Sequence, residues 1–266
     1  MQRYILIRLI QSVFTLIGVS IIVFSLARLS GNPLDVLLPE EADDETFTRI
    51  SELWGLNDPW YIQYFTFVKN ASRGEFGPSF KWQGRTAMEL VLLHLPATLQ
   101  LAGFSIAVAV LMAVPIGVMS AVKKGTLLDT VGKLIALLGQ SLPSFWLAIV
   151  LIWIFAVKLG WFPTSGRGGF DNMILPASAL GWFSVASFMR LTRSSMLNVL
   201  DSEYIKLARI KGLPEWKVIW KHGLKNAAIP PLTVFGAIVV GQMTGSVTIE
   251  TVFAWPGIGL LALQAV

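Results

Sequence analysis

Few residues in this sequence could make or break bonds. It contains no cysteine, which excludes thiol chemistry and disulfides. Its two histidines, His94 and His222, lie far apart and fit no metal-ligand spacing. A pairing of either with a serine would be accidental. The sequence has no Gly-x-Ser-x-Gly elbow and no Gly-x-x-x-x-Gly-Lys-Ser/Thr phosphate loop. No catalytic, cofactor or metal site is expected, and the chain should not bind ATP itself.

The residues between Arg190 and Asn226 are instead suited to docking. This stretch is too polar to span a membrane and too patterned to be a linker. Asp201 or Ser202 can cap a helix running through Glu203, Tyr204, Leu207, Ala208 and Lys211. Tyr204, Leu207 and Ala208 share one face at the i, i+3, i+4 spacing. Gly212 can end that helix in a left-handed conformation. Pro214 and Glu215 then suit the first turn of a second helix, where Trp216, Ile219 and Trp220 share a face. The spacing predicts a helix–bend–helix with apolar faces and basic flanks. Its chemistry leaves two docking surfaces open, anionic lipid and another protein.

The elements that hold this hairpin are apolar. Hydrophobic residues make up 54% of the 266-residue chain and charged residues 14%, against about 25% charged in a soluble domain. Five uncharged runs stand between charged or histidine residues: Leu9–Ala27, Ala97–Val122, Leu134–Val157, Asn172–Met189 and Asn226–Ile249. A hydrocarbon core of about 30 Å needs roughly 20 apolar residues as helix, and backbone polar groups in lipid must pair within their own segment. An all-α membrane protein with five transmembrane helices follows. Five such helices would leave too little polar surface to cover them as the core of a soluble protein. The first run follows Arg3 and Arg8 but is longer than a signal-peptide core and lacks a small-x-small cleavage site, so it reads as a retained helix.

The formal net charge of +5 matters through its distribution rather than as a sign of nucleic acid. With the N-terminus inside, the inner segments carry the larger share of the 21 lysines and arginines, which favours that orientation. The first outer segment, through Leu95, holds an acidic stretch at Glu40–Glu45. Asp43, Asp44 and Glu45 ahead of Phe47, Ile50, Leu53 and Trp54 suggest a short amphipathic helix, and Pro59 could open another through Val68. We expect an outer subdomain over 29–95, after a first helix at 1–28. The core at 96–266 should hold helices near 97–122, 134–157, 172–189 and 226–249, an inner loop at 190–225 and an outer connector at 250–266. Pro115 and Pro143 fall inside the second and third helices, where membrane helices tolerate a bend. Gly241 and Gly245 form a small-xxx-small spacing that lets two helices approach closely. No ionisable group interrupts any run, which argues against a proton- or sodium-driven carrier.

The inner loop also carries a resemblance. The run from Glu203 to Leu213, continuing through His222 to Ala227, resembles the cytoplasmic signature of ABC importer permeases, the peptide/nickel branch in particular. Gly55-Leu-Asn-Asp-Pro59, Gly74-Glu-Phe-Gly77, Leu95-Pro-Ala-Thr-Leu99, Ser141-Leu-Pro-Ser-Phe145, Arg193-Ser-Ser-Met-Leu197 and the run Glu250–Gly259 are similar to other segments of that branch. Ala208 and Gly212 match the general signature's Ala and Gly. Its Glu position is Lys206 here, and its Leu-Pro ending is Leu224-Lys225.

The resemblance implies the permease fold with a cytoplasmic coupling helix that seats on an ATPase subunit, and a sixth helix beyond Val266. It assigns coupling to Glu203, Tyr204, Leu207, Ala208, Gly212, Leu213 and His222. Gln140, Ser141 and Ser144 beside the Pro143 bend, with Gln242, Met243 and Ser246 on the fifth helix, are candidate path residues, although ordinary helix–helix contact would also account for them. The implied protein is a non-catalytic permease subunit of a bacterial or archaeal inner-membrane importer for peptides, nickel, glutathione or a metal chelate. Its implied partners are a homologous second permease, two ATPase subunits and an external solute-binding protein. The alternatives are a stand-alone secondary transporter or channel, and a scaffold without transport.

Overall fold

The computed structural model describes residues 2–29, 34, 48–49, 51–52, 55–79, 81–82 and 84–265. The acidic stretch at 40–45 and most of the amphipathic segment expected after it lie outside the described residues. The chain divides into two compact units, Met1–Leu90 and Val91–Val266.

In the first unit, α1 (Gln2–Leu29) is a single apolar helix and α2 (Trp60–Ala71) begins directly after Pro59. Tyr64 of α2 meets α1 twice. Its hydroxyl lies 2.8 Å from Ser20 Oγ, and its ring stands edge-on to Phe24 at 5.5 Å. The amide of Gln63 donates to the carbonyls of Leu56 and Asp58, which ties the preceding turn to the helix.

The second unit is built on long helices. Helix α3 (Ala87–Val122) starts ahead of its apolar run, so the helix reaches back into the segment expected as outer subdomain. The third run, expected as one helix over 134–157, is two. Helix α4 (Leu127–Ser141) and helix α5 (Ser144–Leu151), continued by a π-helical stretch (Ile152–Lys158), meet at 110°. The cause is local. A residue before proline is pushed out of the helical region, and Leu142 is extended at φ −86°, ψ 126°. Pro143 then stands at φ −62°, ψ 137° as the N-cap of α5.

Helix α6 (Phe170–Leu200) continues well past Met189, so residues 190–200, expected in the inner loop, are helix. Helix α7 (Glu203–Ile210), a π-helical stretch (Lys217–Gly223) and α8 (Leu224–Ala227) complete that segment. Helix α9 (Ile229–Val252) is followed by α10 (Ile258–Ala265) where only a connector was expected. The chain is an all-α membrane protein. Among the described residues, four helices (α1, α3, α6 and α9) are long and apolar enough to cross a bilayer, and α4 with α5 makes a fifth span if the bent pair counts as one.

The core of this unit centres on α6. Its Met173, Leu175, Ala177, Ala179 and Leu180 pack with Ala97 and Leu101 of α3, Ala148 of α5 and Ile249 of α9. Further along, Val185, Phe188 and Met189 pack with Ala109 and Ala113. Glycines make the closest approaches. A β-carbon at Gly117 of α3 would stand 2.8 Å from the Met189 carbonyl, and one at Gly181 of α6 would stand 2.9 Å from the Ser105 carbonyl. The expected small-xxx-small approach at Gly241 and Gly245 does not occur among the described residues. Nothing lies within 4 Å of a β-carbon at Gly241, and only Leu180 approaches Gly245.

Candidate functional site

The segment after α6 is a rigid hairpin. Ser202, extended at ψ 151°, is the N-cap of α7. Gly212 has φ +75°, the left-handed conformation that needs no β-carbon. Around it, Leu213 N–H donates to the Ala208 carbonyl at 3.3 Å and Gly212 N–H to that of Arg209 at 2.9 Å. This is the paired 6→1 and 5→2 bonding of a Schellman motif. Pro214 and Glu215 then turn the chain, and the Arg209 guanidinium clasps the Glu215 carboxylate through Nη2 at 2.7 Å and Nε at 3.3 Å. That guanidinium holds the Glu215 carboxyl below the usual carboxylate range, while the carboxylate raises Arg209. Glu203 bonds Lys206 at 2.8 Å and raises its pKa. Asn226 Nδ2 donates to Tyr204 Oη at 2.9 Å, closing the hairpin at its base.

The two expected apolar faces are each split. Ile205, Ala208 and Val218 are buried together against Val199, Leu200 and Leu213. Ile219 packs with Val118 and Ala121 of α3, Met196 of α6 and Ala227. Outward stand Tyr204, Leu207 (50% exposed), Ile210 (81%), Trp216 (62%) and Trp220. In the second, the chain is wound as a π-helix from Lys217 to Gly223; Trp216 and Trp220, four apart, stay on one face while Ile219 turns inward. His222 is half-buried in the same stretch. The hairpin therefore has one side bonded into the helix ends and another that presents two tryptophans, a tyrosine and two aliphatics.

The residues proposed beside the Pro143 bend do not converge. Ser144 and Gln242 line one cavity of about 400 Å³, together with Trp182, Phe183 and Gly245. Gln242 is buried, and its Nε2 donates to Ser184 at 2.7 Å and Ser105 at 3.1 Å, joining α9 to α6 and α3. Gln140 lies in a separate basic cleft of about 410 Å³ with Lys133, Arg190 and Arg193, and its Oε1 accepts from Arg190 Nη1 at 2.8 Å. Ser141 and Ser246 bond carbonyls of their own helices, and Met243 is partly exposed.

Two further carboxylates escape local sequence reading. Asp129 has no exposed surface and accepts from Arg193, Ser120, Gly125 N–H and Lys133. Glu250, equally buried, accepts from Thr98 Oγ1 at 2.7 Å and Leu260 N–H at 3.0 Å. Thr98 Oγ1 in turn accepts from Ile258 N–H at 2.8 Å, and the buried Trp255 donates Nε1 to the Ala97 carbonyl at 2.9 Å. The motif at Leu95–Leu99 thus meets the motif at Glu250–Gly259. The signal for both acids was present in the sequence. Asp129 stands in a segment otherwise rich in lysine, and Glu250 ends an apolar run.

Comparison with known proteins gives a consistent result. The family described as "Binding-protein-dependent transport system inner membrane component" matches residues 113–266. The oligopeptide transport system permease protein AppB of Bacillus subtilis is 36% identical over 276 residues, covering 100% of this chain and 87% of that protein. The oligopeptide transport system permease protein OppB of Escherichia coli is 39% identical over 266 residues, covering 98% and 86%. The glutathione transport system permease protein GsiC of Salmonella choleraesuis is 38% identical over 268 residues, covering 100% and 87%. With its membrane helices and these full-length relatives, the chain belongs to the binding-protein-dependent inner-membrane components, the permease subunits of ABC importers.

Proposed function

We propose that the chain forms one half of the membrane path of an ATP-driven importer for peptides or a related solute such as nickel, glutathione or a metal chelate. A homologous permease would complete the path, two ATPase subunits would bind on the cytoplasmic side, and an external binding protein would deliver cargo. The N-terminus is cytoplasmic in this reading, in keeping with the excess of lysine and arginine in the segments that would share its side. The names of the relatives, oligopeptide and glutathione permeases, support the cargo class.

The single observation that carries the reading is the hairpin. Its Schellman bend and ion-pair clasp hold Leu207, Ile210 and Trp216 outward, while Ile219 beds into α3 and α6. Exposed tryptophan and tyrosine on a rigid support are typical anchors of a protein interface. Glu203, Tyr204, Leu207, Ala208, Gly212, Leu213 and His222 are the coupling residues in this reading. Tyr204 and Leu207 face the partner, and Ala208, Gly212 and Leu213 form the bend behind them. ATP binding would favour one of two helix packings through this contact. For the path, Ser144 and Gln242 remain the better candidates because they share a cavity.

The test is reconstitution of the whole complex in proteoliposomes. ATP-dependent uptake is expected, and Leu207→Asp should strip the ATPase subunits from the purified permease while leaving it in the membrane. Uptake by this chain without an ATPase, driven by an ion gradient, would establish a stand-alone carrier instead.

A further inference from the structure

Arg193 reaches across from α6 to Asp129 at the start of α4, with Nε to Oδ1 at 2.7 Å and Nη2 to Oδ2 at 3.0 Å, a bidentate fork. The same Nε lies 3.1 Å from Ser120 Oγ, which itself donates to Asp129 Oδ1 at 2.7 Å. Gly125 N–H, in the turn between α3 and α4, adds a bond at 3.0 Å, and Lys133 Nζ adds one at 2.9 Å. One carboxylate therefore collects the last turn of α3, the α3–α4 turn, the start of α4 and the last third of α6. The helices are close there. A β-carbon at Gly132 of α4 would stand 3.1 Å from Ser120 Oγ.

The hairpin rests on the same stretch. Met196, one turn beyond Arg193, packs with Val118 and Ala121 of α3 and with Ile219 of the hairpin. Ile219 thus joins the hairpin to α6 and α3 next to the fork. Apolar packing alone resists compression but allows sliding. A bidentate ion pair fixes direction and register. A buried ion pair adds little net stability over a well-packed apolar core, so specificity of geometry is the property it can supply here.

We propose that Asp129 and Arg193 are positioning residues for transport. They clamp the ends of α3, α4 and α6 into one body, so that displacement of the docked hairpin moves all three helices together. This rests on the importer reading above. In its terms, the pair makes ATP hydrolysis productive without touching cargo or nucleotide.

The experiment compares moles of solute imported per mole of ATP hydrolysed in proteoliposomes containing the whole complex, for wild type and Arg193→Lys. Lysine keeps the charge and loses the fork. Copurification of the ATPase subunits is measured alongside. The expected result is an assembled complex that still hydrolyses ATP while import per ATP falls about tenfold, within the span of coupling between linked sites. If Arg193→Lys does not assemble, Ser120→Ala, which keeps both charges, decides by the same ratio, with a smaller fall expected. An unchanged ratio in an assembled variant overturns the proposal, as does hydrolysis falling in step with uptake. Absence of ATP-driven uptake in the wild-type complex would instead overturn the importer reading itself.

Discussion

Asp129 and Glu250 are both acids with no exposed surface, and both are fastened to α3, one at its last turn through Ser120 and the other further back through Thr98. The helix rises about 33 Å from Thr98 to Ser120, close to the thickness of a hydrocarbon core. The two are answered differently. Asp129 meets a guanidinium and an ammonium, together with a hydroxyl and a backbone amide. The bonds to Glu250 come from neutral donors, the Thr98 hydroxyl and the Leu260 amide in the first turn of α10. The first is a joint between three long helices. The second caps a short helix, and Gly257 and Gly259 leave room for it, since a β-carbon at either would overlap its carboxyl. One end of the bundle is held by charge and the other by shape.

Several substitutions would break or sharpen that contrast. Gly259→Val should have the largest effect, because its β-carbon would also strike the Val247 backbone at 2.6 Å. A loss of about 3 kcal/mol or more is expected, read as a fall in the melting temperature of the detergent-solubilised protein. Asp129→Asn should follow, at about 3 kcal/mol, because it leaves the largely buried Arg193 without its counter-charge. Glu250→Gln should cost less, about 1–2 kcal/mol, since the amide keeps one acceptor and no charge is left unpaired. Equal losses in the two amide variants would erase the distinction between the ends.

The next effect is stabilising. Helix α9 ends, like α7, in a Schellman motif. Trp255 N–H donates to the Glu250 carbonyl at 2.8 Å and Ala254 N–H to that of Thr251 at 3.2 Å. Here the left-handed position is held by Ala254, at φ +47°, where the hairpin uses Gly212. Ala254→Gly should therefore raise stability by about 1 kcal/mol, and the same melting measurement checks it.

The smallest effect concerns pH. The Glu215 carboxyl is held below its usual range by Arg209. Its contribution is thus fully present above the unfolded glutamate pKa and is lost as pH falls through the folded value. Both side chains are about half exposed, so the contribution is under about 1 kcal/mol. Trp216 fluorescence should change on acidification below the ordinary glutamate range, and Glu215→Gln should flatten that change.

The parts legible in the sequence were those set by local rules. Charge-free runs located the spans, and Gly212 followed by Pro214 marked the bend, because turn chemistry and hydropathy act over a few residues. The rest depended on distance or on a rare geometry. The bond from Arg193 to Asp129 joins residues 64 apart, which no local spacing reveals. Pro143 was read as an interior bend. That it breaks the span to 110° depends on Leu142 leaving the helical region. Trp216 and Trp220 stand outward while Ile219, counted on their face, is buried, and the π-helical winding of 217–223 has no signature in the spacing. Gly241 and Gly245 had the right spacing for a close helix contact, but the close helix contacts are made at Gly117, Gly139 and Gly181.

The most direct test uses the absence of native cysteine. A single Ile210→Cys places a thiol at the most exposed apolar residue of the hairpin. In the assembled complex, a membrane-impermeant maleimide should fail to label it in intact cells and should label it in inverted vesicles. A short thiol cross-linker should join it to an ATPase subunit. Labelling from outside intact cells would contradict the account, and so would inside labelling with no ATPase ever captured.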